Sequence, residues 1–89
     1  MTEYDNLKLL IDKIEKEQEE LGYKLTRLEL RIHREEVYPK MSELQFNLIT
    51  AQYGAMNTYH NILTMRLNDL DEQLYDLTLQ EEVFDKDVA

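Results

Sequence analysis

The sequence is poor in the residues that make turns and covalent links, with no cysteine, one proline and two glycines among its 89 residues. Without cysteine, the chain can form neither a disulfide nor a thiolate metal site. Glycine and proline dominate tight turns, so their scarcity leaves little material for the many turns of a β-sheet protein. The composition therefore favours an all-α fold.

The chain also lacks an uninterrupted apolar run. Charged residues occur throughout residues 1–20, so this stretch does not resemble a secretory signal peptide. Residues 41–65 are the least charged stretch, but their asparagine, glutamine and histidine side chains make them too polar for a transmembrane helix. We therefore expect a soluble, cytoplasmic protein that does not cross a membrane.

Side chains that carry out catalysis or bind metals are scarce. The only histidines are His33 and His60, and the only serine, Ser42, is distant along the chain from both. A helical metal site built from Glu-x-x-His motifs needs glutamate three residues before each histidine, where this sequence has Leu30 and Asn57. We expect a non-enzymatic protein with no cofactor and no bound metal.

A first helix is predicted over residues 4–37 because its apolar residues alternate at spacings of three and four. This row, the seam of helix 1, consists of Tyr4, Leu7, Ile11, Ile14, Gln18, Leu21, Leu25, Leu28 and Ile32. Its only member with a fully polar side chain is Gln18. The opposite side of the helix is charged, so helix 1 has a single face to bury, as in a coiled coil.

The seam is interrupted at Glu35, Pro39 and Ser42. Proline inside a helix costs about 3 kcal/mol, since it removes a backbone donor and clashes with the preceding turn. Ser42 followed by Gln45 resembles a capping box that starts a new helix. The predicted organisation is a single domain, residues 1–89, with helix 1 over about 4–37, a turn over 38–41, helix 2 over about 42–82 and a frayed tail over 84–89.

Helix 2 carries two apolar stripes on opposite sides. The first continues the seam pattern through Phe46, Ile49, Tyr53, Met56, His60, Leu63, Leu67, Leu70, Leu74 and Leu77. The second consists of Met41, Leu44, Leu48, Ala51, Ala55, Thr58, Ile62 and Met65. Acidic residues take over the positions of the second stripe beyond Met65. A helix that is apolar on two faces has to be covered on two faces.

Two architectures satisfy these patterns. In the favoured one, helices 1 and 2 form an antiparallel, coiled-coil-like hairpin. The alternative is one long parallel dimeric coiled coil hinged at Pro39, because the heptad phase continues through the interruption without a slip. The hairpin brings Gln18 close to His60, and a buried hydrogen bond between these two side chains would fix the register of the helices.

In the hairpin, the second stripe of helix 2 stays uncovered and is the predicted interface with a second copy or another partner. The interface residues are Leu44, Leu48, Ala51, Ala55, Thr58, Ile62 and Met65. The small residues at its centre let two helices approach closely, and two hairpins joined there would form a four-helix bundle. We therefore expect a homodimer.

The net charge of −9 is unevenly distributed along the chain. Residues 1–40 carry eight Lys and Arg against ten Asp and Glu, whereas residues 41–89 carry two against nine. The cations at one side of helix 1 form a basic ridge that is a candidate surface for a partner: Lys24, Arg27, Arg31 and Arg34. Three carboxylates form an acidic row on helix 2: Asp69, Glu72 and Asp76.

The expected function is protein–protein interaction, as an adaptor, inhibitor or assembly factor, because a large apolar surface occurs without a catalytic set of residues. One alternative is an acidic DNA mimic that inhibits a nucleic-acid-binding enzyme, with carboxylates in place of phosphates. Another is a structural coiled-coil spacer, which requires the extended rod. Nucleic acid itself is not an expected partner, since four clustered cations stand against a net charge of −9.

Overall fold

Two helices pack side by side as an antiparallel hairpin in the computed structural model of the protein, which describes residues 2–88 and the side chains of residues 2–80. The first helix, α1, spans Glu3–Val37, and the second, α2, spans Glu43–Val88. The hairpin measures 70 × 18 × 16 Å. The predicted all-α hairpin is therefore confirmed, and the alternative of one long hinged rod is not the fold.

The first turn of α1 is held by a reciprocal pair of hydrogen bonds. The Thr2 hydroxyl accepts from the backbone N–H of Asp5 at 3.1 Å, and the Asp5 carboxylate accepts from the backbone N–H of Thr2 at 3.3 Å. This capping box satisfies two amide groups that have no partner inside the helix. The carboxylates of Glu3 and Asp5 also lie favourably at the positive end of the helix dipole.

The connection between the helices is organised by Glu35, the first of the interrupted seam positions. Its carboxylate accepts hydrogen bonds from the backbone N–H groups of Lys40 at 2.8 Å and Met41 at 2.9 Å. The Ser42 hydroxyl accepts from the backbone N–H of Gln45 at 3.2 Å and caps the start of α2. A charged residue thus occupies the end of the seam because it closes the turn.

Most of the buried core lies in the part of the hairpin away from the turn, and Leu25 is also buried, nearer the turn. The centre of the core is a cluster of Ile11, Ile14, Leu63 and Leu67, in which Leu63 is fully buried. Four half-buried leucines pack around this core cluster: Leu7, Leu21, Leu70 and Leu74. Near the turn, the seam residues of α2 are half-buried, so the hairpin alone covers them less completely.

The second helix runs to Val88, beyond the end that the sequence predicts near residue 82. The side chains of residues 81–89, which include the predicted frayed tail over 84–89, lie outside the described residues. Within the described part of the chain, neither helix contains a segment that is long and apolar enough to cross a membrane.

Candidate protein-binding surfaces

The polar group in the seam of α1 has a different partner from the one that the sequence predicts. The side-chain amide of Gln18 donates to the Thr64 hydroxyl at 2.7 Å, and that hydroxyl donates to the backbone carbonyl of His60 at 3.1 Å. The predicted pair of Gln18 with the His60 side chain is corrected accordingly. The His60 ring lies one turn away, beside Gly22: a Cβ atom at Gly22 would be in ordinary van der Waals contact with Nε2 of His60, at 3.6 Å.

The second stripe of α2 faces away from α1 and is uncovered by the hairpin. We call its seven exposed residues the open face: Leu44, Leu48, Ala51, Ala55, Thr58, Ile62 and Met65. Met41, at the edge of the turn, is half-buried. The large residues of the open face keep much of their surface, from 43% of Ile62 to 66% of Leu44. The interface residues that the sequence predicts are therefore brought together on one side of α2.

The centre of the open face is small and smooth. A Cβ atom placed at Gly54 would meet nothing within 4 Å. The Thr58 hydroxyl donates to the backbone carbonyl of Gly54 at 3.0 Å, so its only donor hydrogen is used inside the helix. Between Ala51 and Thr58, the open face consequently presents little more than methyl groups and backbone.

The open face is also free of formal charge. No aspartate, glutamate, lysine or arginine occurs in residues 44–65, although one-third of the chain is charged. The positions that flank the open face carry neutral polar side chains such as Gln45, Asn47, Gln52 and Asn61. A partner could therefore cover this face without burying an unpaired charge.

The basic ridge lies on α1, and all four of its cations are exposed: Lys24, Arg27, Arg31 and Arg34. The first three line a shallow groove between the helices together with Gln52 and Met56 of α2. The only salt bridge among the described side chains joins His33 to Glu36 at 4.0 Å, and both groups are well exposed. The ridge cations have no such carboxylate partner within the described part of the chain.

Exposed apolar residues accompany the basic ridge, and sequence reasoning did not single them out as a surface. Tyr23 is 62% exposed, Leu30 is 61% exposed and Val37 is 53% exposed. Their spacing of seven residues places them on one side of α1. Their seven-residue spacing was the signal in the sequence that could have identified this surface. The three residues lie outside the seam, however, and alternate with the cations Arg27 and Arg34.

The acidic row extends the line of the open face toward the far end of α2. Asp69, Glu72 and Asp76 are exposed. The side-chain amide of Gln73 donates to the Asp69 carboxylate at 2.8 Å. Asp76 lines a groove at the open end of the hairpin. The row is thus a solvated carboxylate surface.

Two titratable groups depart from their ordinary behaviour for local reasons. The backbone N–H groups of Lys40 and Met41 stabilise the charged form of Glu35 and lower the pKa of its carboxyl below the usual 4.5. The Tyr59 hydroxyl donates to the Glu17 carboxylate, which raises the pKa of the tyrosine above 10.0. Glu35 is half-buried and joins α1 to the turn, whereas the exposed Tyr59 joins α2 to α1, so both pKa shifts accompany contacts that hold the hairpin together.

No group of three acidic or histidine side chains that could hold a metal ion occurs among the side chains that the structure describes. What the fold presents is a set of outward surfaces: the open face and acidic row of α2, and the basic ridge of α1. This arrangement is a small helical hairpin with three distinct outward surfaces.

The Sequestin family model matches residues 8–69, which make up well over half of the chain. The chain belongs to the Sequestin family. The matched segment contains the core cluster, the turn, the basic ridge and the open face, and it ends at the first residue of the acidic row. Comparison with curated proteins and with solved structures gives no match.

Proposed function

We propose that this protein acts without catalysis, by binding and sequestering another protein, and that it does so as a homodimer assembled through the open face. The observation that carries the proposal is the exposure of Leu44, Leu48, Ile62 and Met65 on an uncharged helix face. A contiguous apolar patch of this kind marks a surface for association. The family name, Sequestin, fits a protein that holds a partner.

A second copy is the occupant that we assign to the open face. Two acidic chains of net charge −9 repel each other, and the uncharged stretch 44–65 is where they can meet with least repulsion. Burial of the apolar residues on both copies would contribute on the order of 10 kcal/mol before the costs of association. That is sufficient for a stable dimer.

Self-association leaves the basic ridge as the surface that receives the partner protein. Its four cations are exposed and accompanied by the exposed side chains of Tyr23 and Leu30, a combination of charge and apolar anchors that is common in interfaces. The partner that fits is a protein segment with carboxylates and apolar side chains. An inhibitor, an adaptor and an assembly factor would each have to bind such a segment.

The dimer is tested by measuring molar mass by light scattering over a dilution series. We expect about twice 10.7 kDa for the natural chain and 10.7 kDa for Leu48→Glu, because the new carboxylate would be buried at the interface. Leu9→Glu is the matched control, since Leu9 is similarly exposed, at 56% against 53%, but lies on α1. A natural chain that is monomeric throughout the series contradicts the dimer.

The partner surface is tested by affinity capture and mass spectrometry with the ridge variant Arg27→Glu/Arg31→Glu. We expect one protein to be retained by the natural chain, released by salt and lost from the ridge variant. Lys13→Glu/Lys16→Glu is the control, since it reverses two exposed cations of α1 away from the ridge. Equal retention by the ridge variant refutes this surface. Turnover that His60→Ala abolishes without unfolding the protein refutes the non-enzymatic assignment.

The acidic DNA mimic is a second candidate, favoured by the exposure of the whole acidic row. It predicts a salt-sensitive complex with a nucleic-acid-binding enzyme that is lost when Asp69 and Asp76 become Asn and Glu72 becomes Gln. The family match ends at Asp69, which places Glu72 and Asp76 outside the family segment. A complex that is indifferent to these changes removes the candidate. The structural-spacer hypothesis requires an extended rod, whereas the fold is a hairpin.

A further inference from the structure

The sizes of the side chains along the open face are arranged symmetrically about its middle. Large residues stand at both ends, Leu44 and Leu48 on one side and Ile62 and Met65 on the other, and small residues lie between them. Residues 44 and 65 are equally far from the point between Gly54 and Ala55, and so are residues 51 and 58. Leu48 lies one residue closer to that point than Ile62 does, so the face presents nearly the same profile of side-chain sizes in either direction along α2.

We infer that two copies of α2 pack antiparallel through the open face, with a two-fold axis that passes between Gly54 and Ala55. The inference rests on the proposed homodimer and specifies its geometry. In a two-fold interface, a contact of one residue with another is repeated with the two exchanged. Here Leu44 packs on Met65 of the second copy, Leu48 on its Ile62 and Ala51 on its Thr58.

The charges beside the open face distinguish this arrangement from a parallel one. A parallel pair would match the size profile too, but it would place each acidic row directly against the identical row of the other copy, starting with Asp69. Like charges in such positions are destabilising. In the antiparallel pair, Asp69 comes level with Lys40 of the second copy, in the turn before its α2 begins at Glu43. Opposite charges then meet.

The centre of the open face allows the close approach that the symmetry requires. A Cβ atom placed at Gly54 would have no neighbour within 4 Å, and the Thr58 hydroxyl already donates a hydrogen bond to the Gly54 carbonyl. Helices with small residues at their contact approach to about 8 Å. Along the roughly 30 Å between residues 44 and 65, the two copies would bury on the order of 1,000 Å². This area meets the lower bound for a specific interface.

The neutral polar residues beside the open face are also compatible with the antiparallel pair. Asn47 of one copy comes beside Asn61 of the other, and their amides can exchange hydrogen bonds at the rim. The pair would also be longer than one hairpin, because each far end of α2 projects past the turn of the other copy. We expect a maximum dimension of about 100 Å, against 70 Å for a single hairpin and for a parallel pair in register.

Since the natural chain has no cysteine, single cysteines report the geometry directly. We expect a mixture of Ala51→Cys and Thr58→Cys, refolded together and oxidised, to form a disulfide-linked dimer in high yield. Neither variant should do so alone, because equal residues would lie about 10 Å apart along the helices, beyond the roughly 7 Å that a disulfide spans. Ala55→Cys, at the axis, should link to itself and serves as the positive control.

The outcomes separate this geometry from the homodimer on which it rests. Ala51→Cys and Thr58→Cys each linking to themselves, with no disulfide between the two different variants in their mixture, means a parallel dimer and overturns the antiparallel geometry alone. A dimeric mass with a maximum dimension near 70 Å in small-angle scattering does the same. A monomeric mass together with no linkage, Ala55→Cys included, overturns the homodimer itself.

Discussion

The two faces of α2 are both apolar between residues 44 and 65, yet α1 covers one and leaves the other exposed. The difference arises farther along the helix. The covered face continues as leucine to Leu77, which gives the seam of α1 an apolar counterpart along its whole length. The open face stops at Met65, and α1 packed there would set Ile11 and its neighbours against the acidic row. The length of each apolar stripe therefore decides which face of α2 is buried in the hairpin.

This comparison separates two roles. Residues of the covered face should determine whether the hairpin folds, and residues of the open face should determine whether hairpins associate. Substitutions on the two faces are therefore expected to change different measured quantities.

The largest effect is expected at the centre of the covered face. Leu63→Ala removes a side chain that is 0% exposed and leaves a cavity against the core cluster. We expect the free energy of unfolding to fall by about 3 kcal/mol, measured by urea titration with circular dichroism.

Leu9→Ala is the control for that change, because Leu9 is 56% exposed on the outside of α1. Its effect should stay within about 0.5 kcal/mol. Similar losses for both variants would mean that the covered face is not the source of stability.

A medium effect is expected at the polar contact that sets the register of the covered face. Gln18→Ala and Thr64→Ala each remove one side of a 2.7 Å hydrogen bond, and each should cost about 1 kcal/mol. In a double-mutant cycle the two losses should not add, since either change breaks the same bond. Strictly additive losses would show that the two side chains do not interact in solution.

The smallest effect concerns the turn and depends on pH. The pKa of Glu35 is lowered in the folded protein, which means that its ionised carboxylate stabilises the fold. This contribution to the free energy of unfolding is present above the usual pKa of 4.5 and is lost as the pH falls through the lowered pKa. Glu35→Gln should lower the melting temperature by a few degrees at pH 7 and have less effect in acid. Glu36→Gln, an exposed neighbour, is the control. A difference that grows as the pH falls would contradict this role.

Much of the fold was predictable from the sequence because it depends on periodicity. The alternation of the seam gives the helices, and Pro39 with Ser42 marks the connection between them. The partner of Gln18 was not predictable, because a shift of half a layer between antiparallel helices decides between His60 and Thr64. The role of Glu35 was not predictable either, since its carboxylate reaches amides whose positions depend on the backbone of the turn.

The candidate surfaces were predictable to different extents. The open face follows from the spacing of apolar residues alone, since a two-helix hairpin has no further helix to cover a second apolar stripe opposite the seam. The apolar residues beside the basic ridge, Leu30 among them, were harder to identify, because residues seven apart on a charged surface resemble the isolated exposed side chains that most proteins carry.

The position of the core cluster also sets the order in which a newly made chain can fold. Ile11 and Ile14 are buried against Leu63 and Leu67, which are synthesised about fifty residues later. At the usual rates of roughly 5–20 residues per second, this delay lasts on the order of 3 to 10 seconds. During that time α1 exposes its seam, and the best-packed contacts of the protein are among the last to form.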